Sequence, residues 1–210
     1  MALVTRYAEA ADLQALLDTA GSWTAAETAT HEAMLEAVAR DIDRITGRFF
    51  GTTADATAKV FDGCDGQRLV VPDLVSVSAL KTDEDGDQTY ERTWASADYE
   101  LWPWGAAAEH PAAPYLEIRV SYATGSADYT FPIGQKTIEV TGVWGWPAVP
   151  QTIKQVCILE AARMVEQSRS PSGIVANAAL GTASIVPALH PTSMRMLRPY
   201  IRMSAQRRAA

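Results

Sequence analysis

Cysteine is scarce in this chain. Cys64 and Cys157 lie far apart and form no CxxC pair, so nothing suggests a disulfide scaffold and a reduced interior is the expected setting. Histidine is nearly as scarce. His31, His110 and His190 each stand without a carboxylate, histidine or cysteine at metal-ligand spacing. No GxSxG, Walker loop or GxGxxG occurs, which removes the sequence signatures of the nucleophile elbow and of the phosphate-cradling loops. No apolar run approaches the roughly 18 residues of a membrane span. The opening stretch "MALVTRYAEAADLQALL" has no continuous apolar core and no small-residue cleavage site, which predicts no export. These absences predict no catalytic residue, no metal, no cofactor and no membrane partner.

Acid is missing from one end. All 25 acidic residues lie at or before Glu166; beyond it stand Arg169, Arg195, Arg198, Arg202, Arg207 and Arg208, with neither acid nor lysine. The net charge of −7 therefore divides into a body of −13 and a tail of +6. A basic arm on an acidic body fits a polyanion or an acidic protein surface, or else folds back on its own body.

What is present has two periods. Residues 8–20 predict a short helix. "TAAE" at Thr24–Glu27 has the form of a capping box, and Leu35, Val38, Ile42, Ile45 and Phe49 follow at spacings of 3 and 4, one stripe of a helix that Gly47 or Gly51 can end. From about Ala58 to Trp144 the chain changes to short β-branched and aromatic segments broken by Gly, Pro and Asp: "KVFDG", "RLVVP", "LVSVSALKT", "YELW", "YLEIRV" and "KTIEVTGVW". "DEDGDQ" holds an Asp-Gly pair suited to a tight hairpin, and its glycine stands too early for a calcium loop. In "TIEVTGVW", Ile138 and Val140 should face one side and Thr137, Glu139 and Thr141 the other.

The switch back to helix falls in "VWGWPAVPQ". Pro147 holds Trp146 extended, and Pro150 can occupy a first helical turn. Trp144, Trp146 and Pro147 are accordingly expected to be structural, fixing the strand-to-helix angle. The helix from Pro150 to Ser168 spreads Ile153, Val156, Cys157, Ala161, Met164 and Val165 over a broad arc. Glu160 sits inside that arc and should have a cation partner, with Arg40 and Arg44 of the same or a neighbouring subunit as candidates. Ser172–Pro191 has no period, and "PTSMRMLRPYIRM" closes with a short helix. Trp94, Tyr99, Trp102 and Trp104 fit either a β core or a platform for sugar rings.

The predicted class is α+β: a helical bundle core built from N- and C-terminal helices, a β-rich insertion, and a flexible C-terminal arm. The expected divisions are 1–57 for the N-terminal helices, 58–146 for the insertion, 147–168 for the core helix and 169–210 for the basic arm.

"DIDRITGRFF" (Asp41–Phe50), "DYELWPWGA" (Asp98–Ala106), "IEVTGVWGWPAVPQTIKQVCILEAARM" (Ile138–Met164) and "LHPTSMRMLRPYIR" (Leu189–Arg202) occur in this order. Together they resemble the head-to-tail adaptor, or connector, proteins of tailed bacteriophages and gene-transfer particles. The resemblance implies a non-enzymatic virion protein of the neck, assembled from the host cytoplasm. It implies a ring of twelve copies between the portal protein and the stopper or tail-completion protein, around passing double-stranded DNA that is contacted without sequence specificity. Within that picture Arg195, Leu197, Arg198, Tyr200, Ile201, Arg202, Arg207 and Arg208 are candidates for binding the portal, and Ile153, Val156, Glu160 and Met164 for the contact between copies. A stopper or tail terminator, and a carbohydrate-binding β module, are the alternatives.

Overall fold

The computed structural model describes residues 6–17, 22–63, 66–108, 112–122, 129–168 and 189–202, together with the backbone of 175–177 and 182–184. The class is α+β. Two compact units are present, one of Gly51–Ala148 and the other of Thr5–Phe50 with Val149–Ala210.

The second unit is helical, with α1 (Ala10–Leu17), α2 (Ala25–Thr46), α3 (Gln151–Ser168) and α4 (Pro191–Leu197), and a 3-10 turn over Arg198–Tyr200. Sequence chemistry sets the ends of α2. The Thr24 hydroxyl accepts the Glu27 N–H at 3.3 Å, and the Glu27 carboxylate accepts the Thr24 N–H at 2.8 Å. Gly47 stops the helix at φ 64°, a left-handed position that glycine tolerates best. Leu35, Val38 and Ile42 are buried as the stripe predicts. Phe49 is not, because the helix has already ended. The change of backbone turns Phe50 into the core instead.

Helix α3 packs against α1, α2 and α4, which accounts for its broad apolar arc. Pro150 lends its carbonyl to the Lys154 N–H at 3.0 Å, so the helix proper starts at Gln151. Cys157 is buried in this packing, its thiol directed at the Leu35 carbonyl at 3.6 Å. Burial pushes that thiol up to about 12, and it stays protonated and unreactive.

Ahead of α1, Tyr7 ties the chain to the far end of α2. Its hydroxyl donates to Asp43 and accepts the Phe50 N–H at 2.9 Å. Arg40 stands 3.1 Å from the Asp43 carboxylate. Burial raises the Asp43 carboxyl above the usual range, although the bond from Tyr7 and the charge of Arg40 pull the other way. The stretch expected to lack regular structure contains a short antiparallel pair, β7 (Val175–Asn177) with β8 (Thr182–Ser184); the rest of 169–188 lies outside the described residues.

The other unit is an antiparallel sheet of β1 (Thr57–Gly63), β2 (Arg68–Thr82), β3 (Arg92–Thr93), β4 (Tyr99–Trp102), β5 (Tyr115–Val120) and β6 (Gly134–Trp144). The order is β1-β6-β2-β5-β4, with β3 added to β2. The two segments "RLVVP" and "LVSVSALKT" form one strand. Pro72 is accommodated where the β2–β5 register shifts between Val70 and Leu74. Leu69, Val71, Leu80, Ile118, Val120, Ile138 and Val140 fill one face of the sheet with Trp94, Phe131 and Trp144. Thr137 is buried too, against expectation, because its hydroxyl donates to the Pro132 carbonyl at 3.1 Å.

The tryptophan knot has a backbone explanation. Gly145 adopts φ +111°, and a Cβ there would lie 1.8 Å from the Gly51 carbonyl oxygen. The same carbonyl accepts the Trp146 N–H at 2.9 Å. Only glycine permits that approach. Trp144 and Trp146 are both buried, Trp144 in the core of the sheet. The Trp144 indole donates to the Thr57 carbonyl at 2.8 Å, and Lys59 covers the ring at 4.3 Å.

Two outcomes are expected. Trp144→Ala should cost about 3–5 kcal/mol, read by chemical denaturation. Because the folded pKa of Asp43 lies above its unfolded value, its contribution to stability is greatest below the unfolded pKa and is lost as pH rises through the folded one. The stability of wild type minus that of Asp43→Asn should therefore fall as the pH of thermal melts is raised from acid. A flat difference would contradict this assignment.

Candidate functional site

Helix α4 presents two faces of different chemistry. Ser193 and Leu197 are fully buried in the subunit, so Leu197 is a core residue and offers nothing to a partner. Met194, Arg195 and Arg198 are exposed. Among the described residues, neither arginine side chain forms an ion pair or a hydrogen bond. The α-helix ends at Leu197, and Pro199 lies inside the 3-10 turn that follows from Arg198. Tyr200 then sets its ring edge-to-face on Phe50, with centroids 5.6 Å apart, and the Arg202 N–H donates to the Thr46 carbonyl at 2.9 Å. The C-terminal segment thus folds back on the end of α2. Ile201 and Arg202 are half-buried there, and Arg207 and Arg208 lie outside the described residues. What remains exposed is Met194 with Arg195 and Arg198, whose guanidinium groups have no partner among the described residues.

The other end of α4 is held by a buried carboxylate. Glu160, inside the α3 arc as expected, pairs with Arg163 one turn on. Within the subunit Arg40 and Arg44 pair instead with Asp43 and Asp41 on their own helix. Glu160 also accepts the His190 N–H at 3.3 Å, and Arg163 reaches the Ser193 hydroxyl at 3.4 Å. The His190 ring caps α4, its Nδ1 accepting the Thr192 N–H at 3.2 Å. These bonds join α3 to α4.

Of the remaining interface candidates, Ile153 and Val156 are fully buried against neighbouring helices and have no surface left to offer a second copy. Met164 is 37% exposed. Periodicity identified the apolar arc of α3, but it could not say which part of the arc α1, α2 and α4 would cover.

The outer face of the sheet is the second feature of note; sequence reasoning singled out Trp102 but missed the charged residues that pairing sets beside it. Val70, Glu117 and Trp102 stand in one row across β2, β5 and β4, with Arg68, Arg119 and Glu100 in the next. Arg119 donates to Glu117 through Nε at 2.9 Å and Nη2 at 2.7 Å, and lies 4.2 Å from the centre of the Trp102 ring. Arg68 also pairs with Glu117, Ser121 donates to Glu100 at 3.2 Å, and Tyr122 donates to Gln67. Of these, Gln67, Arg68, Glu100, Trp102, Arg119 and Tyr122 border a hollow of about 460 Å³. Alternation along "YELW" and "YLEIRV" was the available signal. It shows which residues face outward; the strand pairing that aligns them lies beyond it.

The acidic stretch of 83–91 is not a tight hairpin. It is a longer loop between β2 and β3. Asp83, Asp85, Asp87 and Glu91 converge, but Asp83 already accepts the Gly86 and Gln88 N–H groups, both at 2.7 Å. Burial would raise the Asp83 carboxyl, and these backbone bonds outweigh it and hold the group below its usual range. Its role is to close the loop.

The Glu160 clamp generates a stability prediction. Arg163→Ala leaves a buried carboxylate with only the His190 N–H and should cost about 1.5–3 kcal/mol. Glu160→Gln in the same background should recover part of that loss, because a neutral amide needs no counter-charge. Denaturant midpoints measure both.

No family model and no curated protein matches this sequence. Among solved structures, the chain is similar to one from the neck of an empty GTA (gene transfer agent) particle, computed with C6 symmetry. The TM-score is 0.55 at 18% identity, and the alignment covers 97% of this chain and 93% of the other. The likeness runs through both units, and the two chains share a fold.

Proposed function

We infer that the chain is a structural protein of a particle neck, and within the neck a head-to-tail adaptor. The observation that carries the reading is the fold shared almost end to end with a chain from the neck of a GTA particle. In this reading the helices form the core, the sheet is an insertion into it, and the protein assembles as a ring of twelve copies. That number is compatible with the sixfold symmetry used for the neck of the similar particle. A closed ring needs two different faces on each subunit, and the exposed Met164 belongs to one of them. The net acidity of the body suits a channel that passes double-stranded DNA without gripping it.

The portal-facing element in this reading is the outer side of α4, Met194 with Arg195 and Arg198, continued by Arg207 and Arg208. Guanidinium groups that have no partner among the described residues can take carboxylates of another protein through forked, charge-assisted bonds. The stopper or tail-completion protein would sit on the opposite side of the ring. The protein would occupy the neck of the particle after assembly and the host cytoplasm before it.

The test uses purified portal rings. Electron microscopy of the mixture should show a ring of this protein stacked on the portal. The double variant Arg195→Glu/Arg198→Glu should bind portal about tenfold or more weakly, while retaining the wild-type melting temperature. Full portal binding by that variant would sink the α4 assignment. Absence of any ring on portal, with assembly instead on tail proteins, would point to another neck component.

A further inference from the structure

We propose that the hollow on the outer face of β2, β5 and β4 is a binding site for a neutral saccharide. The proposal is independent of the neck reading and concerns the sheet unit alone.

The shape and size of the site come first. Gln67, Arg68, Glu100, Trp102, Arg119 and Tyr122 border a hollow of about 460 Å³, within the range of roughly 300–1,000 Å³ in which small-molecule sites fall. Arg68, Glu100, Trp102 and Arg119 stand on paired strands, so the register fixes their spacing; Gln67 and Tyr122 flank the strand ends.

Charge then selects the ligand class. Arg68 and Arg119 are both paired with Glu117, and Glu100 stands in the Arg119 row. Two cations and two anions cancel, so an anionic ligand such as a phosphate or a nucleic acid finds carboxylates beside every guanidinium. A neutral ligand rich in hydroxyls meets donors and acceptors in alternation and no net field.

The aromatic groups supply the apolar part. Trp102 is 39% exposed and Tyr122 is 69% exposed, unusual values for side chains that gain so much from burial. Arg119 covers the Trp102 ring on one side at 4.2 Å and is locked by its two bonds to Glu117. That contact restrains the ring on one side before any ligand arrives, and restraint of this kind lowers the entropy lost on binding. A sugar ring has an apolar C–H face and a polar rim, which matches an indole set among guanidinium, carboxylate and amide groups.

The full-length protein can be titrated with neutral oligosaccharides of several linkages, namely maltoheptaose, cellohexaose and chitohexaose, while tryptophan fluorescence is followed. One of them should quench saturably, with a dissociation constant on the order of 10 µM to 1 mM. Trp102→Ala and, separately, Tyr122→Ala should each weaken that binding about tenfold or more. Trp104→Ala, which alters a more exposed tryptophan not bordering the hollow, should leave it unchanged. Melting temperatures close to wild type confirm that the outward-facing substitutions spare the fold. The proposal is overturned if none of the three sugars binds, or if binding survives both aromatic substitutions. Salt-sensitive binding of heparin oligosaccharide or duplex DNA in place of the neutral sugars would overturn it as well. So would loss of ring assembly or portal binding in Trp102→Ala without any sugar binding, which would make this face a protein contact.

Discussion

Burying α3 against three helices at once is the constraint from which the helical unit follows. A helix covered by α1, α2 and α4 can expose few residues, and those it exposes are the only ones left for anything else. Cys157 and Ala161 are spent on packing. Glu160 lies where an apolar side chain would be the simpler choice, and its retention requires Arg163 and the His190 N–H to compensate it. The compensation determines where α4 begins, because the residue whose N–H meets the carboxylate is also the one that caps the helix. Position at the start of α4 then decides which of its side chains turn inward, as Leu197 does, and which remain outside, as Arg195 and Arg198 do.

The sheet unit is governed by a different economy. It has one packed face, so its outer face is free to carry chemistry, and the registers of β2, β5 and β4 bring charged and aromatic groups into adjacent rows. Such an arrangement needs no loop to shape it. It also leaves the core untouched when outward residues change, a property that suits a recognition surface.

Much of this was legible in the sequence where physics is local. The capping box at Thr24, the stop at Gly47, the stripe of Leu35, Val38 and Ile42, and the change to period two near Ala58 each depend on neighbours within a few residues. Legibility failed where partners were distant. Periodicity placed Glu160 in an apolar arc, but it could not show that within the subunit its cation would be Arg163, one turn away, rather than Arg40 or Arg44. Phe49 and Phe50 cannot be distinguished until the helix is known to end at Thr46. The continuity of β2 through Pro72 was hidden because proline reads as a breaker, and only pairing with β5 shows that the register shifts there. The rows across the outer face were invisible for the same reason: alternation orients a side chain, and register decides its neighbour.

The closeness of Gly51 and Gly145 has a consequence for how such a chain can change over time. An antiparallel bridge joins Thr52 to Gly145, and the Gly51 carbonyl holds the Trp146 N–H. The strand that leads into the sheet unit and the one that leads out are therefore fastened side by side. A segment whose two ends meet behaves as a cassette. It can lengthen, shorten or be exchanged for another of unrelated sequence while asking nothing of its host except a pair of adjacent attachment points. Tolerance of that kind would let the sheet diverge quickly under selection while the helices that flank it in sequence stayed constrained.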